Sequence, residues 1–265
     1  MRLHVFEFED QAWFPSTIRN AMMDYLQFLF DKINIYKPAT LILTKMMDRL
    51  NAHQIMDLCS GSGGDMLILH KQLETNSNQE ILISLSDKFP NTEVYKVIEH
   101  KSNGHITYIG KSVEATDYVS EHKSIRTIFS AFHHFKPEYA QKVLENAIQS
   151  NAPIAIFDGG TKHLLFFLSM LIVHPLALFI VTPFIRPFSL SRLFFTYIIP
   201  LIPLCTMWDG SISILRLYTT KDMEKIIYKS GIGNYYWEVG SKKTCFGLKM
   251  NYLIGIPNAK NSDNT

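Results

Sequence analysis

The chain has 265 residues, enough for one large α/β domain with an elaboration or for two small domains, and the first arrangement is the one read here. Its 26 Lys and Arg against 24 Asp and Glu leave a formal charge of +2, so no global field favours nucleic acid as a partner. Hydrophobic residues make up 47 %, and the excess is concentrated in one late stretch.

Acidic residues interrupt the segment Met1–Asp10, which excludes the continuous apolar core of a signal peptide. Cys59, Cys205 and Cys245 are far apart and lack metal-ligand spacing, which fits a reduced, cytoplasmic compartment. The cluster Glu7, Glu9, Asp10 and Trp13 reads as an acidic, solvated approach to a helix. Helical spacing of Ile18, Met22, Tyr25, Leu26, Leu29 and Phe30 predicts a helix over 13–33. Lys37-Pro38 interrupts, and 40–50 gives a second helix.

The stretch 53–65 is a strand, a glycine turn and the start of a helix: Ile55 to Leu58, then Cys59-Ser60-Gly61-Ser62-Gly63-Gly64, then the periodic Met66, Leu67, Leu69 and Leu73. Such a turn bares backbone N–H groups to a nucleotide-like ligand. The dinucleotide fingerprint wants a third glycine where Met66 stands. Asp57 at the strand end would repel a pyrophosphate but attract an ammonium group.

A second strand, 81–86, ends at Asp87, whose two carboxylate oxygens suit both hydroxyls of a ribose, with helix capping as the competing role. A third strand covers 106–109 and a fourth 125–132, the latter running into His133-His134. Adjacent strand residues point to opposite faces, so at most one of the two rings is expected to face the pocket. A histidine there could act as a base, because imidazole titrates near neutrality. No second cluster lies at ligand spacing, so no metal is expected. A helix opening at Pro137 and a fifth strand, 153–158, continue the alternation expected of a parallel sheet with right-handed crossovers.

No charged residue occurs from Leu164 to Ile185, and 193–208 is nearly as apolar. A two-span hairpin would carry Arg186 and Arg192 to the far side of a membrane, and Pro175, Pro183, Pro200 and Pro203 interrupt the runs. The stretch 164–208 is therefore expected to form an apolar cap over the substrate entrance, in contact with a membrane or a lipophilic molecule. A helix from Thr219 to Ser230-Gly231 and two strands, 235–239 and 248–256, close the fold.

Asp57, Leu58, Cys59, Ser60, Gly61, Ser62 and Gly63 resemble the first motif of the class I S-adenosylmethionine-dependent methyltransferases, with Cys59 where that family usually has its first glycine. The resemblance covers roughly 54–158 and 219–256. It implies a Rossmann-like, seven-stranded, mostly parallel sheet with flanking helices, carrying an apolar helical insertion. It also implies S-adenosylmethionine as cofactor, held by Asp57, Cys59, Ser60, Gly61 and Gly63, with Asp87 on the ribose and Glu114-Ala115 beside the adenine. His133-His134 is similar to the family's ending of the fourth strand motif, and these two are the candidate catalytic residues. The expected division is a helical cover 1–52, a core 53–160, the insertion 161–212, the rest of the core 213–257 and a disordered tail 258–265. The expected function is methyl transfer to a small, lipophilic acceptor by a cytoplasmic protein peripheral on, or anchored to, a membrane. The alternative is a non-catalytic membrane-associated or interaction protein that keeps the sheet.

Overall fold

The computed structural model describes residues 2–33, 35–119, 124–244 and 248–258. Cys245 and the expected tail beyond Asn258 lie outside them. Two helices, α1 (Ser16–Ile33) and α2 (Lys37–Leu50), precede the sheet, and three more alternate with strands: α3 (Met66–Ser77), α4 (Thr92–Lys101) and α5 (Pro137–Gln149). The strands are β1 (Gln54–Leu58), β2 (Leu82–Ser86), β3 (Ile106–Tyr108), β4 (Ile125–Phe129), β5 (Ile154–Gly159), β6 (Tyr235–Lys243) and β7 (Lys249–Pro257). After β5 come α6 (Leu164–Val181), α7 (Leu190–Tyr197) and α8 (Leu201–Arg216), and α9 (Thr220–Lys229) leads into β6.

The seven strands form one sheet in the order β3-β2-β1-β4-β5-β7-β6. The first five are parallel, and β7 runs antiparallel to both β5 and β6. This is the mostly parallel sheet expected from the alternation of elements. Side chains sort by strand periodicity: Ala155 and Phe157 join one core with Leu43, Leu73 and Tyr95, while Ile154 and Ile156 join the other with Val143, Leu144 and Met223.

Two expectations need correction. Lys37-Pro38 opens α2 rather than interrupting before it, because proline in a first turn sacrifices no intrahelical hydrogen bond. The fourth strand stops at Phe129: Ser130 takes a left-handed φ of 47°, and Phe132–His134 form a short 3-10 helix. The last helix starts as expected, with Thr219 Oγ1 accepting from the Asp222 N–H and Asp222 accepting from the Thr219 N–H.

A third core lies off the sheet, where Met22 and Tyr25 of α1 meet Leu178, Ile185 and Ile202 of the apolar segment. Only Leu178 of α6 is buried, so the expected cap packs by one side and leaves the other open. Arg192, 3 % exposed, pins this layer to α1: its Nη1 donates to Asp24 Oδ2 at 2.6 Å, and its Nη2 donates to the carbonyls of Ile185 and Pro187. Asp24→Ala strands that guanidinium and is expected to lower the unfolding free energy by about 3 kcal/mol in urea titrations. The paired change Asp24→Leu with Arg192→Met, which leaves no buried charge, is expected to cost clearly less than the single one.

Candidate functional site

Asp57, next to last in β1, is almost fully buried, and both of its oxygens are engaged. Ser60 Oγ donates to Oδ2 and Thr127 Oγ1, from the neighbouring β4, donates to Oδ1, each at 2.6 Å. Burial pushes its pKa up to about 7, aided by the nearby Asp87 and opposed by the two hydroxyls. An ionised carboxylate keeps further lone pairs beyond those two bonds, so the group can still receive a cationic donor.

The loop after β1 turns through left-handed backbone at Cys59 (φ 61°) and Gly61 (φ 56°). Cys59 therefore sits where only glycine is unstrained, which accounts for glycine at this place in the resembling motif. Gly63 is left-handed as well (φ 82°), and a Cβ there would also run into the end of the Ile98 side chain. The Gly61 N–H donates to Asp87 Oδ2 at 2.8 Å and the Phe89 N–H to Asp87 Oδ1 at 2.7 Å, so the second acidic residue is fixed against the loop. Tyr95 of α4 donates from its hydroxyl to the Gly61 carbonyl at 2.8 Å.

These groups line one wall of a cavity of about 730 Å³ at the carboxyl ends of β1, β2 and β4. Glu114 and Ala115 lie on the same wall, Glu114 paired with Lys88 Nζ at 2.8 Å. Ser60, Gly61, Ser62, Gly63 and Gly64 all border the cavity, as does Cys59. The sequence-predicted cofactor residues are thus brought together around one space.

The two histidines part company. His134 borders the cavity, whereas His133 is buried behind it with Nδ1 3.2 Å from Asp158 Oδ1. The expectation of opposite strand faces fails because the pair lies on the 3-10 helix, with ring centroids 4.4 Å apart.

The opposite wall comes from the N-terminal segment, and here the sequence reading is corrected. Glu7 is fully buried and Glu9 is half-buried against the cavity, whereas Asp10 borders the cavity and stays exposed, as does Trp13. His134 Nδ1 is 2.8 Å from Glu7 Oε2 and 3.0 Å from Asp10 Oδ1, and its Nε2 is 3.4 Å from Glu9 Oε1. Arg216 of α8 completes the cluster, its Nη1 2.8 Å from Glu7 and 2.7 Å from Asp10. Asp209, about two turns earlier on α8, accepts from the N–H groups of Phe8 (2.8 Å) and Glu9 (3.0 Å). Arg2 donates to the carbonyls of His133 and Phe135, both at 2.7 Å.

Burial opposes charge on His134, but Glu7 and Asp10 outweigh it and hold the ring's pKa well above the usual imidazole value. Burial, then Glu7, Asp209 and Asp10, push Glu9 up to about 8 against the pull of His134. Burial likewise raises Asp209 to about 7.

Glu7, His133 and His134 lie close enough together to hold a cation, but Arg216 already occupies the Glu7 carboxylate. His70, Glu74 and His105 form a second such group, in which His70 Nε2 lies 2.9 Å from the Ile81 carbonyl. Sequence spacing missed both because each draws on separate segments.

No family model matches the chain, and no curated protein sequence does. Solved structures do. The S-adenosylmethionine-dependent methyltransferase SibL in its apo form is similar over 89 % of this chain and 57 % of its own, with TM-score 0.51 and 11 % identity. An O-methyltransferase family protein from Burkholderia thailandensis is similar over 88 % and 60 %, with TM-score 0.50 and 12 % identity. The citrinin polyketide synthase CMeT domain is similar over 88 % and 56 %, with TM-score 0.52 and 10 % identity. The chain thus spans less than two thirds of these relatives' lengths, and it has the class I methyltransferase fold.

Two outcomes follow from this geometry. Cys59→Gly is expected to stay within about 0.5 kcal/mol of the parent in stability, while the β-branched Cys59→Val is expected to lose about 1–2 kcal/mol in the left-handed region. Glu9 and Asp209 bind protons more tightly folded than unfolded, so their contribution is complete at the acidic end and is lost as pH rises through about 7 to 8. His134, also raised, has the same sign. The lowered pKa values of His4 and His174, both pushed by burial to about 4, have the opposite sign up to the ordinary imidazole range, so the melting temperature is expected to fall between about pH 6.5 and about pH 8, and Glu9→Gln to flatten part of the slope. A flat or rising profile would count against the assignment.

Proposed function

We propose that this protein transfers a methyl group from S-adenosylmethionine to a small, lipophilic acceptor. The observation that supports this best is the single cavity whose one wall joins Asp57, the glycine loop and Asp87, and whose other wall is a histidine buttressed by carboxylates.

The first wall fits the cofactor. A Cβ on Gly61 would meet only Met23 Sδ, at 3.7 Å, so the loop backbone is open to a close-lying ligand. Asp57 with the loop 60–64 would take the ammonium-bearing portion, Asp87 the ribose, and Glu114-Ala115 would border the adenine. When bound, the cofactor supplies a methyl carbon on a sulfonium, whose departure leaves a neutral thioether. The chain's own contribution is then alignment and exclusion of water.

His134 is the residue placed to handle a proton. Its Nδ1 faces Glu7 and Asp10 and so carries hydrogen, which leaves Nε2, beside Glu9, as the atom that can accept a proton from an acceptor hydroxyl or amine. Only a ring that has lost its Nε2 proton can do so, and the raised pKa makes that form more abundant at alkaline pH. The imidazolium formed afterwards is stabilised by the carboxylates behind it. His133 has a positioning role, with its ring against Asp158. Phe6, Met23, Leu26 and Phe30 on the cavity wall favour an apolar acceptor body. The free thiols of Cys59 and Cys205 fit a cytoplasmic setting.

Calorimetry with S-adenosylmethionine and turnover with isotopically labelled methyl groups in cell extracts test the reading. Asp87→Ala is expected to weaken cofactor binding about tenfold or more. His134→Gln is expected to keep the affinity and lose turnover by about 10²–10⁴-fold. In the parent protein, turnover is expected to rise with pH on the alkaline side of the usual imidazole range. Absence of cofactor binding by the wild-type protein would overturn the proposal.

A further inference from the structure

The open side of the α6–α8 layer is the largest feature that methyl transfer does not account for. Leu164, Leu168, Ile172, Leu176 and Ile180 succeed one another at every fourth position of α6, and each is between 41 % and 70 % exposed. Phe188, Leu190, Phe194 and Ile198 extend the surface across α7, all exposed. A helix buried in its own domain would hide these side chains, and a surface helix would show polar ones.

We propose that this face rests on an anionic lipid bilayer, with α6 lying in the plane of one leaflet and not crossing it. The charge pattern selects the occupant. From 159 to 208 the chain contains no Asp or Glu. The exposed cations Lys162 and Arg186 stand just beyond the two ends of the apolar run, where lipid phosphates would meet them, while the third, Arg192, is consumed by Asp24. A partner protein surface would call for mixed charges at the rim.

Tethering at both ends decides the orientation. The amino end of α6 follows β5 directly, and the carboxyl end is clamped to α1 through Leu178, Ile185 and the Arg192–Asp24 pair. Tyr25 of α1 also donates to the carbonyl of His174, in mid-helix, at 3.4 Å. A helix held along its length against the domain has no free end to send through a bilayer. Its length, 21 residues without a charge when the following 3-10 turn is included, then serves contact area instead of depth.

The last helix of the insertion reaches the cavity wall. Trp208 of α8, partly exposed, donates from its indole N–H to the Phe6 carbonyl at 3.1 Å, with the two rings 5.5 Å apart. Phe6 borders the cavity. Aromatic side chains with one wet end favour the headgroup level.

The test is flotation of the full-length protein with vesicles of phosphatidylcholine and phosphatidylglycerol in equal parts. The wild type is expected to float, and to float less on phosphatidylcholine alone. Each exposed leucine lost from the hydrocarbon is worth about tenfold in partition, so Leu168→Glu with Leu176→Glu is expected to reduce binding about a hundredfold. A second variant on the other helix, Leu190→Glu with Ile198→Glu, is expected to act in the same direction. All four positions are exposed, and unchanged melting by circular dichroism would exclude unfolding as the cause. A wild type that stays at the bottom of the gradient overturns the proposal. So does a dimer in vesicle-free solution that the same substitutions dissociate, which would make a second copy the occupant. Flotation reads the surface alone, so its outcome does not depend on whether the cavity transfers methyl groups.

Discussion

One cluster of charges, centred on an imidazole ring, joins three stretches of chain that lie far apart in sequence. His134, on the 3-10 turn that follows the fourth strand, gathers Glu7, Glu9 and Asp10 from the N-terminal segment, and Arg216 brings the end of α8 to Glu7 and Asp10. Two cations, His134 and Arg216, face two paired acids, Glu7 and Asp10, and this balance is what permits Glu7 to be wholly buried. Desolvating one such charge alone would cost several kcal/mol, so each member of the cluster stabilises the burial of the others. The segment before α1 and the end of the insertion are therefore folded parts of the domain, and the cavity has its second wall because of them.

The first wall rests on strand order. The sheet turns back at β1, with β2 on one side and β4 on the other, and the connections leaving β1 and β4 open a crevice between them. Asp57 of β1 is hydrogen-bonded to Thr127 of β4 across that boundary. The same carboxylate accepts from Ser60 in the loop, so one residue registers both strands and the turn. Asp87, held by the N–H groups of Gly61 and Phe89, extends this arrangement to β2.

Much of this was legible in the sequence, and the part that was not has a common cause. Alternating apolar runs gave the strands and helices of the sheet, because local periodicity is dictated by which face is buried. Asp57, the glycines and Asp87 were visible because a turn demands particular residues at particular places. Glu7 and Glu9 were misread as solvated because their burial depends on a histidine and an arginine far along the chain, and sequence proximity carries no trace of such partners. The division of labour between His133 and His134 was hidden for a local reason: Ser130 ends the strand early, and a 3-10 turn aims both rings by a different rule from a strand. In the insertion, composition announced apolar helices but could not say which of their sides would be left open.

Cys59 carries an implication for how this chain can vary. A left-handed residue at that point admits few side chains, chiefly glycine, asparagine and aspartate. Aspartate would add a third acid beside Asp57 and Asp87, and asparagine would set an amide against a partly apolar surround. The loop is thus confined to a narrow mutational corridor with glycine at one end and cysteine at the other, residues whose codons differ by a single base. A lineage can pass between them without an unfit intermediate, and so the absence of the motif's first glycine is a poor guide to whether the loop has kept its shape.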